Sequence, residues 1–175
     1  MFIFQTFLWV DALQEEPFKV DAAKAFKTYS GTVYRLAFVR TGNTADADDI
    51  LSDVFVRLIK NISKIKSEVH LRSWLIRATV NQSKTYYKKS KRIEKVRLAD
   101  IDGAVQQNSE ENLVLPAVME LPYHQKTVIY MHYFEGYSVE EIAGICGIAK
   151  GTVKSRLARA RKTLKTTLEG VIMDV

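Results

Sequence analysis

Apolar residues recur along most of this 175-residue chain at steps of three and four, the spacing of one face of an α-helix. Ala22, Phe26, Tyr29, Val33 and Leu36 set the first such run and predict an amphipathic helix over Phe18 to Arg40, closing near Gly42. Asn43 or Thr44 is placed to cap a second helix, in which Ile50, Leu51, Val54, Phe55, Leu58, Ile59 and Ile62 make a broad apolar face. A third helix runs from about Leu71, with Leu71, Trp74, Leu75 and Ala78 on its buried side, so Trp74 reads as core. No strand-like alternation of useful length occurs. The expected fold class is all-α: two small helical domains joined by a flexible acidic linker, the second containing a helix-turn-helix.

That second domain follows from local signals. Periodicity stops between about Leu98 and Asn112, where Asp100, Asp102, Gly103, Glu110 and Glu111 make a polar, acidic linker. Helices resume over Leu113 to Glu120 and from Pro122, placed as a first helical residue, to about Phe134. Ser138-Val-Glu-Glu141 is a capping box and starts a short helix that Gly147 ends. A longer helix starting at about Gly151-Thr152 buries Val153, Leu157, Ala160 and Leu164. The expected division is 1–17 as an apolar extension, 18–97 as the first domain, 98–112 as linker and 113–170 as the helix-turn-helix domain. In the extension, ten of the first thirteen residues are apolar, but there is no basic leader, and the run is short of the roughly 20 residues a bilayer requires. It reads equally as a segment packing on the first domain or a partner, and as the product of an upstream start.

Charge adds what periodicity cannot. The net +6 is an average of unequal parts: residues 60–97 carry 12 basic and 2 acidic groups, residues 98–149 carry 1 and 8, and residues 150–165 carry 7 and 0. Two cationic blocks separated by an acidic stretch suit a polyanion gripped at two places.

On the last long helix Gly151, Ser155 and Ala158 form a crest of small residues, with Lys154, Arg161 and Lys165 on one flank and Thr152, Arg156 and Arg159 on the other. Such a crest enters a major groove while the flanks meet phosphates, and Lys150 at the helix start adds to the same surface. In the basic block Arg77, Asn81, Lys84, Lys88, Lys91 and Lys95 follow at steps of four and three, making one stripe roughly 27 Å long. Tyr86 and Tyr87 lie among these cations and are open to two uses, stacking on unpaired bases or plain packing. Asp46, Asp49 and Asp53 share one face of the second helix, followed by Arg57. The helix dipole accounts for the first two but not for Asp53, which leaves a basic protein partner as the other explanation.

Catalytic chemistry is not expected. Cys146 is the single cysteine, and His70, His124 and His132 stand at no metal-ligand spacing. No nucleophile motif, carboxylate pair or phosphate loop appears, so no enzyme, cofactor, metal or small-molecule substrate is expected. A lone cysteine is compatible with a reducing cytoplasm.

Taken together these strings resemble the extracytoplasmic-function group of bacterial RNA polymerase sigma factors. Val33-Tyr-Arg-Leu-Ala37, Thr41-Gly-Asn43, Asp46-Ala-Asp-Asp49 with Asp53-Val-Phe55 and Arg57-Leu58, then Leu71-Arg-Ser-Trp-Leu75 and Asn81, are similar to its region 2. Glu120-Leu-Pro122, Glu135-Gly-Tyr-Ser-Val-Glu-Glu-Ile-Ala143 and Gly151-Thr-Val-Lys-Ser-Arg-Leu-Ala-Arg-Ala-Arg161 are similar to its region 4. The likeness covers about residues 18–168. Thr85 stands where the family often has Asp, and Cys146 where it often has Leu.

The resemblance implies a protein that binds core RNA polymerase, directs it to promoters and assists melting. It implies that Asp46, Asp49, Asp53 and Arg57 dock on the β′ clamp helices and that the β flap is a further polymerase contact. It assigns Arg77, Asn81, Lys84, Lys88 and Tyr87 to the −10 element of promoter DNA, with the loop around Lys64 to His70 capturing a flipped base. Lys150, Thr152, Lys154, Ser155, Arg156 and Arg159 fall to the −35 element, and the linker threads toward the RNA exit channel. An anti-sigma factor is the implied regulator, able to hold the chain at the membrane; otherwise the chain is cytoplasmic and joins the nucleoid during initiation. The alternative is a conventional helix-turn-helix repressor or activator acting without polymerase.

Overall fold

In the computed structural model the residues described are 18–90 and 111–173, with side chains over 18–86 and 114–169. The extension 1–17, the stripe residues Lys91 and Lys95 and most of the acidic linker lie outside them, as do the side chains of Tyr87 and Lys88.

Asp21 sets the start of α1 (Ala22–Thr41), its carboxylate accepting from the backbone N–H groups of Ala23 at 2.8 Å and Lys24 at 3.2 Å. The helix therefore begins after Phe18, because a capping carboxylate outweighs one more apolar residue. Gly42 closes it with φ +72°, a left-handed conformation cheap only for glycine. Leu36 to Arg40 are buried consecutively, so the end of α1 is enclosed on all sides rather than along one stripe.

Asn43 is the cap of α2 (Thr44–Asn61), its Oδ1 accepting from Asp46 N–H at 2.9 Å. Ala47, Ile50, Val54, Phe55 and Leu58 form its buried face. A 3₁₀ turn at Ile62–Lys64 leads to α3 (Glu68–Ser90), which starts three residues before Leu71 because Ser67 Oγ accepts from His70 N–H at 3.1 Å. The expected loop around Lys64 to His70 is thereby reduced to residues 65–67. The three helices pack on one another as an N-terminal lobe.

The C-terminal lobe contains α4 (Glu111–Glu120), α5 (Tyr123–Ile129) with a π-helical turn at Tyr130–Phe134, α6 (Val139–Cys146) and α7 (Lys150–Met173). Pro122 is the cap residue of α5 rather than its first helical residue. The capping box forms as expected: Glu141 N–H donates to Ser138 Oγ at 3.2 Å, and Ser138 N–H donates to the Glu141 carboxylate at 2.8 Å. These bonds hold the Glu141 carboxyl below its ordinary pKa. Gly147 ends α6 at φ +64°. α7 begins at Lys150, just before the expected start, and buries Val153, Leu157 and Ala160, with Leu164 half-buried.

Ser138→Ala removes half of this box, and the expected loss of stability is about 1 kcal/mol in chemical denaturation. A loss below about 0.3 kcal/mol would show that α6 is held by packing alone.

Candidate nucleic-acid interface

Because Val153, Leu157 and Ala160 face inward, α7 turns the opposite stripe to solvent. Gly151 and Ala158 are exposed with Ser155 half-buried between them, and no heavy atom lies within 4 Å of a Cβ built on Gly151. Lys154 and Arg159 are exposed on either side of this crest, while Thr152 and Arg156 are half-buried. Ser155 Oγ donates to the Thr152 carbonyl at 3.0 Å, which leaves the hydroxyl oxygen able to accept a hydrogen bond. Three cations of the block have partners outside residues 150–165, one of them further along α7 itself. Lys150 pairs with Glu140 of α6 at 3.1 Å, Lys165 pairs with Glu169 at 3.6 Å, and Arg161 donates to Tyr133 Oη at 3.4 Å. The absence of acids within 150–165 therefore overstated how many charges are unpaired.

Along α3, Arg77, Asn81 and Lys84 are exposed at successive turns, and Lys84 Nζ lies 3.5 Å from Asn81 Oδ1. Between α2 and α3 opens a pocket of about 350 Å³ lined by Arg57, Asn61, Trp74, Arg77, Ala78 and Asn81. Trp74 is half-buried and forms one wall of this pocket, a correction to its reading as core: one side of the indole packs inward and the other meets the opening. An indole among two guanidinium groups and two amides is suited to a planar heterocycle with hydrogen-bonding edges.

The acidic residues lie beyond this pocket. Asp49 and Asp53 are exposed, Asp46 is half-buried in the first turn of α2, and Asp53 accepts from Gln82 Nε2 of α3 at 2.5 Å. Partial burial, and then the fields of Asp49, Asp53 and Asp46, push the Tyr86 phenol above its ordinary pKa. Tyr86 thus lies near the three aspartates, and it packs on the core. Arg57, one turn beyond Asp53 on α2, also lines the pocket with Arg77 and Asn81.

A further group was not expected from sequence: arginines of the N-terminal lobe that reach the C-terminal one. Arg40 is 3% exposed and donates to Thr127 Oγ1, to Tyr123 Oη and, at 2.9 Å, to the Val80 carbonyl, with its guanidinium 4.3 Å from the Tyr123 ring centroid. Arg72 donates to the Glu135 carbonyl at 2.6 Å, approaches its carboxylate at 3.6 Å and lies over the Tyr137 ring. Arg77 donates to the Gly144 carbonyl at 2.8 Å. The one advance sign of this interface was the unbroken Leu36-Ala-Phe-Val39, which is too wide for one helix face.

Known proteins carry the same two-part layout. The sigma-70 region 2 model matches residues 25–93, and the sigma-70 region 4 model matches residues 112–164. RNA polymerase sigma factor SigV of Bacillus subtilis is 30% identical over 141 residues, covering 77% of this chain and 83% of that protein. The chain belongs to the extracytoplasmic-function sigma factors. Sigma factor SigM of Mycobacterium tuberculosis, of the same group, is 29% identical over 146 residues, with 82% and 74% coverage. Among solved structures, the sigma factor RpoE in complex with the anti-sigma factor NepR from Bartonella quintana superposes with a TM-score of 0.68 at 23% identity, covering 84% of this chain and 96% of that one. CnrH in complex with the cytosolic domain of CnrY superposes with 0.63 at 19% identity, covering 85% and 88%. At these identities the two superpositions establish the all-α fold and nothing finer.

As a sigma factor the chain directs RNA polymerase to promoters, and the reading as a repressor or activator working without polymerase is not favoured. Its relatives are transcription regulators rather than enzymes. No helix among the described residues is long and apolar enough to cross a membrane.

Proposed function

We propose that this sigma factor divides promoter recognition between its lobes, with α7 reading the −35 duplex and α3 handling the −10 strand as it melts. The observation that carries the division is the difference between the two cationic surfaces. α7 presents a crest of small residues flanked by Lys154 and Arg159, a shape suited to a groove. α3 has Arg77 and Asn81 on the rim of a tryptophan-walled pocket, a shape suited to an unstacked base. Thr152, Ser155 and Arg156 border the same groove surface, and Lys150 reaches it once a phosphate competes with Glu140. Lys84 and, further along α3, Tyr87 and Lys88 continue the −10 surface.

Asp46, Asp49 and Asp53 offer an acidic face to the β′ clamp helices, with Arg57 at its margin toward the pocket. The C-terminal lobe meets the β flap. An anti-sigma factor is the proposed regulator, in keeping with the solved relatives that have one bound. Action in the cytoplasm, on the nucleoid during initiation, follows from a polymerase partner.

Run-off transcription with core polymerase on genomic fragments tests this division. Promoter-specific transcripts are expected only when the chain is added, and Arg77→Ala with Asn81→Ala should reduce open-complex formation while leaving closed-complex binding nearly intact. Equal loss of both would place these residues in docking rather than melting.

A further inference from the structure

Of the large apolar side chains left exposed among the described residues, three gather on the outer side of the N-terminal lobe. Phe26 of α1 is 48% exposed, and Val56 and Ile59 of α2 are 49% and 60% exposed. The Phe26 ring meets Phe55 edge-on with centroids 4.9 Å apart, and Phe55 precedes Val56 and lies one turn before Ile59. Only residues 42 and 43 separate the two helices, so they run antiparallel, and the contact between Phe26 and Phe55 sets Ile59 level with the first turn of α1. An apolar ridge therefore lies beside the point where the chain enters α1. Water on such a ridge is displaced favourably by any apolar segment that can reach it.

The segment that precedes this point has matching chemistry. Residues 1–17 contain Phe2, Phe4, Phe7 and Trp9, and they carry Asp11, Glu15 and Glu16 without a Lys or Arg. On the lobe, exposed Lys27 follows Phe26 and exposed Lys60 follows Ile59, so charge as well as apolar surface is complementary. Reach is no obstacle: the nine steps from Leu13 to Ala22 span up to about 30 Å, and Phe26 is roughly 6 Å along α1 from Ala22. A second copy of the chain fits less well, because three side chains fall far short of the roughly 20–30 residues a side that a stable interface between chains requires. A tethered segment needs less, since it meets the ridge at high effective concentration. We propose that residues 1–17 dock on the ridge of Phe26, Val56 and Ile59, with the aromatic side chains of residues 2–9 covering it. Val56 is three residues beyond Asp53 on α2, so the docked segment borders the acidic face without depending on what that face binds.

Trp9 and Trp74 are the two tryptophans of the chain, so Trp74→Phe leaves Trp9 as the single indole of the full-length protein. Its fluorescence should be that of a buried indole. Acrylamide should quench it severalfold more slowly than in the same chain carrying Val56→Glu with Ile59→Glu, which sets two charges on the ridge at positions already open to water. The protection should be independent of chain concentration. Protection that rises with concentration would give the ridge to a second copy and overturn the proposal. Trp9 protected equally with and without the two glutamates overturns it as well, and so does Trp9 open to acrylamide in both; in that last case weaker binding of core polymerase by the glutamate pair would give the ridge to polymerase. Should Trp74→Phe or the glutamate pair fail to fold, as circular dichroism would reveal, the otherwise unaltered chain is labelled with 5-fluorotryptophan. The fluorine resonance missing from Trp9→Phe then belongs to residue 9, and Ile59→Glu alone should move it toward its position in urea. A resonance that Ile59→Glu leaves in place overturns the docking.

Discussion

Asp49→Lys together with Asp53→Lys is expected to weaken binding of the chain to core RNA polymerase by about a hundredfold, since like charges brought together at an interface cost several kcal/mol and each 1.4 kcal/mol is about tenfold. Both carboxylates are exposed, and the one described hydrogen bond of Asp53 is to Gln82 on the surface, so their replacement leaves the α2 core of Ala47, Ile50, Val54, Phe55 and Leu58 untouched. Stability should accordingly change by no more than about 1 kcal/mol, as expected for two surface substitutions. The measurement is a titration of labelled core polymerase at two salt concentrations, alongside denaturation of the free chain. Charge reversal should cost most at low salt. Undiminished affinity would free this face of any part in docking and leave Asp53 without a role. Loss of affinity accompanied by unfolding would say only that α2 depends on these residues.

The second large effect concerns α7. Lys154→Ala with Arg159→Ala is expected to reduce holoenzyme binding to a promoter duplex by about a hundredfold near physiological salt and to make the slope of log affinity against log salt shallower by about two. The two side chains are exposed on opposite flanks of the crest, and among the described residues neither forms an ion pair like that of Lys150 with Glu140. They are the cations most ready to replace counterions on two phosphate walls. Lys150→Ala should have a smaller effect, because its interaction with Glu140 must be exchanged before DNA gains anything. If the slope stays the same while affinity falls, the pair acts on base edges rather than on phosphates. If neither moves, α7 is not the groove-reading helix.

The helix ends and exposed faces behind those expectations were within reach of the sequence because each depends on local rules, whereas the partners assigned to those faces came from the resemblance to the family. Helical periodicity placed the apolar stripes, and a cap decides a helix end within three residues: Asn43 for α2, and Ser138 with Glu141 for α6. The crest of α7 follows from the same periodicity, since Val153, Leu157 and Ala160 can face only one way. Local rules also erred where a neighbour intervened. Phe18 continues the apolar pattern, but Asp21 caps the backbone and starts the helix after it. Trp74 is in register with buried residues, but α2 does not cover its outer edge, and a pocket remains.

What the sequence determined by itself was the all-α class, the two groups of helices, and which stripes carry cations or acids, for these are set by spacing within a single helix. What only the tertiary structure decided was how residues far apart in sequence share a charge. Arg40 of α1 meets Thr127 and Tyr123, Lys150 meets Glu140, Arg77 meets Gly144, and Arg57 of α2 lines one pocket with Arg77 and Asn81 of α3. A guanidinium reads as solvated in any linear pattern, and its burial becomes visible only when two helices from opposite lobes close over it. The reason is physical: periodicity records which face a helix buries, whereas the partner across that face is fixed by packing between helices that no local signal connects.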